Sequence, residues 1–140
     1  MRLMIDTNII LDVLLEREPF FERSKAVLKL CEDKEINGFI SASTATDIFY
    51  LVRKALGSTD EAYKALGNIL NIVKVLTVTN EDVNNAFLRR AKDFEDCLLA
   101  VCSLSNKCGG IVTRNKKDFE PFGIPLYAPD EILDLYSTRK

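Results

Sequence analysis

Apolar and polar residues alternate along the chain in blocks that predict strands and helices in turn. Residues 3–5 form an apolar run typical of a buried first strand, and residues 9–15 follow at once with a helix-like pattern. From Ser43 the apolar positions return with the spacing i, i+3, i+4 and i+7, which predicts a helix with one face on a sheet. These positions are Ala45, Ile48, Phe49, Val52 and Leu56.

Helix start signals and turn residues divide the rest of the chain. Pro19 predicts the start of a second helix, and Pro129 that of a closing helix. Residues 58–61 and 79–82 have the form of capping boxes, and a break between two helices is expected near residues 92–93. The remaining apolar runs are predicted strands, at residues 39–41, 73–78, 111–113 and 125–127.

Strands that alternate with helices indicate a parallel sheet covered on both faces. The sequence therefore predicts a three-layer α/β/α domain with a central parallel sheet of four to five strands flanked by helices. Its 140 residues, 47% of them hydrophobic, fit one domain over residues 1–140. The first apolar run is far shorter than the ~20 residues that cross a bilayer and lacks a secretory signal pattern, so we expect a cytoplasmic protein that does not associate with membranes.

The composition narrows the chemistry open to this chain. It has no histidine, which excludes Ser-His-Asp and Cys-His catalysis and makes a zinc site of nitrogen and sulfur ligands hard to assemble. Its four cysteines lack Cys-x-x-Cys spacing and are expected to be buried free thiols. The net charge of −2 means that any binding of nucleic acid must be local. Carboxylates remain as the reactive groups.

Four aspartates lie at or near the points where the chain leaves a predicted strand or enters the next helix: Asp6, Asp47, Asp96 and Asp118. In a parallel sheet the strand exits share one edge, so the four side chains can converge there. Aspartate is also favoured in the first turn of a helix as a cap, and this remains the alternative for the last three. A cluster of like charges is costly unless a cation neutralises it. The pattern indicates a small metal-dependent hydrolase.

Three segments together resemble the PIN-domain ribonucleases: Met4-Ile5-Asp6-Thr7-Asn8, Asp93-Phe94-Glu95-Asp96, and Val112-Thr113-Arg114-Asn115 with Asp118-Phe119. The resemblance covers essentially the whole chain, and the order of the motifs is specific. Most small bacterial and archaeal proteins of this kind are toxins of VapBC-type pairs. The stretch Arg17-Glu18-Pro19-Phe20 is similar to one subgroup of stand-alone PIN proteins.

The resemblance implies a PIN-like α/β/α fold and a carboxylate site that binds Mg²⁺ or Mn²⁺ to cleave RNA. It assigns the catalytic and metal-binding acids to Asp6, Asp47, Asp96 and Asp118, in that order. Many members have glutamate at the second position, so contact between the shorter Asp47 and the metal through a water is an alternative. A homodimer and a cognate antitoxin are the partners that it implies.

Polar and basic residues next to the four acids complete the expected site. Thr7, Asn8, Thr113 and Asn115 are suited to orient the carboxylates or the attacking water, and Asp93 is expected to cap the helix that carries Asp96. In that helix Glu95 would point away from the face shared by Asp93 and Asp96. The basic residues expected to bind flanking phosphates of the substrate RNA are Arg114, Lys116 and Lys117.

Two other classes compete with a nuclease toxin. A phospho-acceptor receiver domain also places aspartates at strand ends, but it usually has an adjacent acidic pair after the first strand, where this chain has Asp6-Thr7-Asn8. A PIN-like module that binds RNA or protein without cutting would explain the short second acid. A PIN nuclease of RNA processing or decay, outside any toxin–antitoxin pair, is the alternative within the same activity.

Overall fold

A computed structural model describes residues 1–137 and shows a five-stranded sheet in which all neighbouring strands are parallel. The strand order is β3-β2-β1-β4-β5. The strands are β1 (Arg2–Ile5), β2 (Asn37–Ser41), β3 (Lys74–Leu76), β4 (Gly110–Val112) and β5 (Leu126–Tyr127). The first strand therefore lies at the centre of the sheet.

Helices connect the strands and cover both faces of the sheet. They are α1 (Thr7–Leu14), α2 (Phe21–Glu32), α3 (Ala42–Leu56), α4 (Thr59–Leu70), α5 (Asn80–Arg89), α6 (Phe94–Ser105), α7 (Lys116–Phe119) and α8 (Pro129–Ser137). A 3₁₀ turn at Glu120–Phe122 follows α7. Within residues 1–137, no helix is both long and apolar enough to cross a membrane.

The alternation of side chains along each strand separates two hydrophobic cores. In β1, Leu3 and Ile5 pack into the core that includes buried residues of α1, α2 and α3. Met4 points to the opposite core, which includes Ala86 of α5 and Ala100 of α6. Successive side chains of a strand face opposite sides of the sheet, so this division confirms the predicted three-layer α/β/α architecture.

Helix caps fall where the sequence places them. Thr79 and Asp82 form a reciprocal capping box at the start of α5, with both hydrogen bonds at 3.0 Å. Ser58 accepts a hydrogen bond from the backbone of Glu61 at the start of α4. The break expected near residues 92–93 is confirmed, because α5 ends at Arg89 and α6 begins at Phe94. The four cysteines are buried and free, as expected.

Two local expectations were wrong, and one feature was missed. The helix predicted to start at Pro19 begins at Phe21, because residues 18–20 form a turn in which the Phe20 N–H donates to the Arg17 carbonyl at 3.1 Å. The strand predicted over residues 73–78 is reduced to Lys74–Leu76, since its partner β2 becomes α3 after Ser41. The helical turns of residues 116–122 were not predicted.

The sheet reverses its direction of winding between β1 and β4. The chain passes from β1 to β2 and β3 on one side, and then crosses to β4 and β5 on the other side. A crevice forms at the carboxyl ends of the strands at such a switch point, and open α/β sheets bind their ligands there. Asp6 directly follows β1 and Thr113 directly follows β4, so both residues lie at this position.

The close approach of β4 to β5 gives a test of this packing. A Cβ added to Gly110 would lie 2.6 Å from Cε2 of Tyr127 and 2.8 Å from the carbonyl oxygen of Pro125. Because the backbone blocks the added methyl group, we expect Gly110→Ala to lower the free energy of unfolding by about 1–3 kcal/mol, measured by chemical denaturation. Gly109→Ala is the matched control, since its Cβ would only touch the Arg2 carbonyl at 3.4 Å. Equal stabilities of the two variants would contradict the packing described.

Candidate metal centre

Asp6 is the most constrained acid at the switch point. Its side chain is buried, with only 7% of the residue exposed, and Thr113 Oγ1 donates a hydrogen bond to its Oδ2 at 2.9 Å. Its backbone N–H donates to the carbonyl of Val112 at 3.0 Å and so extends the pairing of β1 with β4. The position of the carboxylate is therefore set by the central pair of strands.

The surroundings of Asp6 oppose its ionisation. Burial raises the pKa of the carboxyl group above its usual value, and the negative charge of Asp118 raises it further. The hydrogen bond from Thr113, the backbone of Thr7 and the charge of Arg114 act in the opposite direction without cancelling the effect of burial. Desolvation and a neighbouring carboxylate are the two causes that a bound cation would offset.

Asp96 lies in the first turn of α6, half-buried and close to other acids. Asp93 caps this helix as expected, since its Oδ1 accepts a hydrogen bond from the Asp96 N–H at 3.0 Å. Burial raises the pKa of Asp96 to about 7, with further increases from the charges of Asp93, Asp6 and Asp118. Asp118 itself is exposed on α7. The fold thus brings Asp6, Asp96 and Asp118 within electrostatic reach of one another.

Asp47 belongs to the same region but has a different partner. It is half-buried in the second turn of α3, and its side chain shares a hydrogen bond with Glu95 of α6. This hydrogen bond is the largest of the causes that raise the pKa of Glu95 to about 7; burial and the charges of Asp47, Asp93 and Asp96 add to it. The sequence reasoning did not include Glu95 among the site residues.

The contact of Glu95 with Asp47 cannot be predicted from the spacing of residues within α6. Spacing within one helix separates Glu95 from the face shared by Asp93 and Asp96. In the structure Asp47 of α3 lies within hydrogen-bonding reach of Glu95, although α3 packs into the core on one face of the sheet and α6 into the core on the other. Asp47 precedes Glu95 by 48 residues and lies in a different helix, so the periodicity of the sequence does not indicate their contact.

The candidate ligands have the right chemistry for a hard divalent cation, but they are spaced too widely to enclose one. All candidate ligands are carboxylates, which are the groups that Mg²⁺ and Mn²⁺ prefer. Among residues 1–137, however, no three acidic or cysteine side chains lie close enough together to enclose a metal ion. The site is therefore a convergence of like charges around Asp6 rather than a closed ligand cage.

The polar neighbours named from the sequence fall into two groups. Thr113 and Asn115 are joined to Asp6, because the Asn115 N–H donates to Thr113 Oγ1 at 2.9 Å while that hydroxyl donates to Asp6. Thr7 is the first residue of α1, and Asn8 Oδ1 accepts a hydrogen bond of 3.4 Å from Arg17. The loop after β4 is thus linked directly to the buried acid.

The three basic residues expected to bind phosphate are not equally available. Arg114 forms a two-pronged ion pair with Asp12, and Lys116 Nζ lies 2.7 Å from Glu131 Oε1. The side chain of Lys117, which is exposed, makes no hydrogen bond or ion pair within residues 1–137. Lys117 is therefore the member of the three whose charge is least engaged inside the chain.

Fold and site together define an α/β/α domain with an acidic cluster at the switch point of a parallel sheet. A family model for the PIN domain matches residues 2–117. The chain belongs to the PIN-domain family, which confirms the family expected from the sequence motifs. A search of curated proteins gives no match.

Solved structures with this fold include components of toxin–antitoxin systems. VapBC2 from Rickettsia felis, bound to a DNA fragment from its promoter, matches with a TM-score of 0.70 and 19% identity over 91% of this chain and 98% of that chain. VapC20 from Mycobacterium tuberculosis, a Sarcin-Ricin loop cleaving toxin, matches with a TM-score of 0.68 and 17% identity over 88% and 96%. FitAcB from Neisseria gonorrhoeae matches with a TM-score of 0.67 and 17% identity over 91% and 97%. At these identities the likeness establishes the fold.

The crowded carboxylates predict how the metal-free protein responds to pH. The pKa values of Asp96 and Glu95 rise to about 7 in the folded chain from ordinary values of 3.8 and 4.5. The folded state therefore binds more protons than the unfolded state within this window, and the contribution of these groups to stability is lost as the pH rises through it. We expect Asp96→Asn to reduce the fall in melting temperature between about pH 5 and about pH 8 in the presence of chelator.

The matched control is Asp134→Asn, which removes an exposed carboxylate of α8 far along the chain from the cluster. It should leave the difference in melting temperature between the two pH values as in the parent protein. If Asp96→Asn and Asp134→Asn change the pH dependence equally, the acids of the cluster do not interact as described.

Proposed function

We propose that this protein is a metal-dependent endoribonuclease, a single domain over residues 1–140 that hydrolyses RNA phosphodiester bonds with Mg²⁺ or Mn²⁺. The observation that carries the proposal is the convergence of Asp6, Asp96 and Asp118, each from a different element, at the switch point of a PIN-domain sheet. Buried like charges destabilise a fold unless they serve a ligand, and the ligand that these acids fit is a divalent cation.

A bound Mg²⁺ or Mn²⁺ would lower the pKa of a water ligand and neutralise charge on the phosphate oxygens. Asp6, Asp96 and Asp118 are the acids that would hold it, and Asp6 is best placed to fix its position because Thr113 restrains one carboxylate oxygen.

Asp47 and Glu95 have a separate role in this proposal. The hydrogen bond with Asp47 is the largest of the causes that raise the pKa of Glu95 to about 7, so Glu95 can change its protonation near neutral pH. Glu95, which has the longer side chain, can extend from this pair towards the other acids, whose charges act on it. The pair therefore supplies a group that can accept a proton from the attacking water, with Asp47 orienting Glu95.

RNA binding near the acids requires cations to offset the phosphate charge. Lys117 lies one residue before Asp118 and has no intramolecular partner among the described residues, so it is the basic residue best suited to contact a flanking phosphate. Lys116 can contribute after exchanging Glu131 for a phosphate, because both groups of this ion pair are exposed. The same role was expected of Arg114 from the sequence, and that assignment stays a prediction.

The biological setting that we propose is the toxin of a type II toxin–antitoxin pair. One structural neighbour, from Klebsiella pneumoniae, is described as a toxin–antitoxin complex, and another, VapC20, as a toxin that cleaves the sarcin–ricin loop. A cognate antitoxin, a homodimer of this chain and a cytoplasmic location belong to this proposal. A PIN nuclease that acts in RNA processing or decay outside such a pair is the alternative.

One observation favours a different function, a PIN-like module that binds RNA without cutting it. Within residues 1–137 the acids do not form a closed ligand set, and the second family acid is the short Asp47. Tight RNA binding with no cleavage in Mg²⁺ or Mn²⁺ would support this function. The two functions share a fold but differ in their need for the charge of Asp6.

Cleavage of RNA by the purified protein tests the nuclease proposal directly. We expect cutting in Mg²⁺ or Mn²⁺ and none in chelator, with Asp6→Asn and Asp96→Asn each lowering the rate on the order of 100-fold, because each removes a ligand charge at nearly constant size. Asp134→Asn should cleave at the parent rate. Activity that survives both substitutions would show that the acidic cluster is not the active site.

The toxin setting has its own test in living cells. Induced expression of the parent chain should arrest growth, whereas Asp6→Asn, expressed to the same level, should not, because arrest depends on the proposed cleavage of RNA. Active enzyme in vitro with no effect on growth would instead favour a nuclease of RNA processing. Growth arrest by both chains would mean that toxicity does not arise from the acidic site.

A further inference from the structure

Arg114 is held inside the molecule by a buried acid of α1. Its Nε lies 2.8 Å from Asp12 Oδ2 and its Nη2 lies 3.0 Å from Asp12 Oδ1, so the two planar groups meet edge to edge. The Asp12 side chain is fully buried, and that of Arg114 is 21% exposed. A two-pronged pair of this kind fixes the direction of the guanidinium as well as its distance.

Two residues from the segment after α1 complete the surroundings of this ion pair. Ser24 of α2 donates a hydrogen bond to Asp12 Oδ2 at 3.0 Å. The ring of Phe20 lies against the guanidinium, with the carbon of that group 3.7 Å from the ring centroid. The guanidinium is thus restrained along its edge by a carboxylate and across its face by an aromatic ring.

The backbone of Arg114 lies between Thr113, which contacts the buried acid of the proposed metal site, and Asn115, which contacts Thr113. Thr113 precedes it and donates to Asp6, and Asn115 follows it and donates its N–H to the same Thr113 hydroxyl. Restraint of the Arg114 side chain therefore limits movement of the loop that connects β4 to α7. This loop also leads to Asp118, three residues after Asn115.

We propose that Arg114 is a positioning residue, which anchors the β4–α7 loop to Asp12 and Phe20 so that Thr113 and Asn115 hold Asp6 in the orientation that the cation requires. This inference rests on the proposed metal-dependent function and concerns how the chain prepares that site. It also gives a role to Phe20, the last residue of the Arg-Glu-Pro-Phe stretch singled out in the sequence.

The same contacts argue against a phosphate as the main partner of Arg114. Asp12 engages Nε and Nη2 of Arg114, so a phosphate that took over these two donors would leave the fully buried Asp12 charge without its partner. An unpaired buried charge is strongly unfavourable, whereas the exposed Lys117 can meet a phosphate without such a loss. The geometry therefore separates an anchoring arginine from the lysines that follow it.

Binding of Mn²⁺ alone, measured by calorimetry on the folded, full-length protein, tests the proposal without relying on activity. Arg114→Lys keeps the positive charge but loses the planar fork, and Arg114→Gln loses both. If Arg114 acts by positioning, both variants should bind Mn²⁺ roughly 10–100-fold more weakly, the usual range for residues that orient metal ligands. Arg53→Gln is the matched control and should keep the parent affinity, because Arg53 is exposed in the last turn of α3, where its guanidinium lies over the ring of Tyr50.

Exchange of the Asn115 amide hydrogen, followed by NMR in metal-free protein, provides a second readout. We expect faster exchange in Arg114→Lys and Arg114→Gln, because the loop that holds this N–H against Thr113 is released. Phe20→Leu is the second variant to use if the arginine variants fold poorly. It keeps the ion pair and removes only the ring beneath the guanidinium, so exchange of the Asn115 amide should become faster by a smaller factor.

A double variant tests whether the loss of Mn²⁺ affinity arises from the ion pair between Asp12 and Arg114. Asp12→Asn should weaken Mn²⁺ binding as Arg114→Lys does, and the double variant should bind no more weakly than either single one, because both act through one contact. Parent-like Mn²⁺ affinity and parent-like Asn115 exchange in the arginine variants, with weaker RNA binding, would overturn the proposal in favour of a phosphate contact. A parent protein that binds no Mn²⁺ would instead overturn the proposed function on which the inference rests.

Discussion

The pairing of β1 with β4 is the contact on which the candidate site depends. β1 occupies the centre of the sheet, and its register with β4 aligns Ile5 with Val112. One more backbone hydrogen bond, from Asp6 to Val112, carries the pairing past the end of the strand and brings Asp6 against Thr113. Because the two strands lie on either side of the point where the sheet reverses its winding, their ends face the crevice rather than a covering helix.

This arrangement assembles negative charge at a site that is partly withdrawn from water. Burial is the largest cause of the raised pKa values of Asp6 and Asp96, and each of these acids also feels the charge of Asp118. A fold optimised for stability alone would replace such groups, since like charges in a desolvated site oppose folding. The two hydrophobic cores on either side of the sheet supply the stability that tolerates them.

The architecture could be predicted because it follows from local patterns. Apolar runs of strand length, helical spacing and caps such as Thr79 with Asp82 each depend on residues close in sequence. Strand ends were less predictable: β3 stops at Leu76 because β2 turns into α3, which is a fact about its neighbour. The contact between Asp47 and Glu95 escaped prediction for the same reason, since it joins α3 and α6, which pack on opposite faces of the sheet.

Basic residues that are neighbours in the sequence do not share one role in the fold. Arg114, Lys116 and Lys117 are nearly consecutive, and composition alone gives them one role. In the fold their charges face three different surroundings: a buried carboxylate of α1, an exposed carboxylate of α8, and solvent.

Asp12 determines the surroundings of Arg114, although nothing in the α1 sequence marks it as more than a polar residue within an apolar run. A fully buried aspartate requires a cation nearby, and within residues 1–137 its ion-pair partner is Arg114, from the loop after β4. The acid of the first helix and the arginine of this loop therefore explain each other, and neither can be assigned a role by itself.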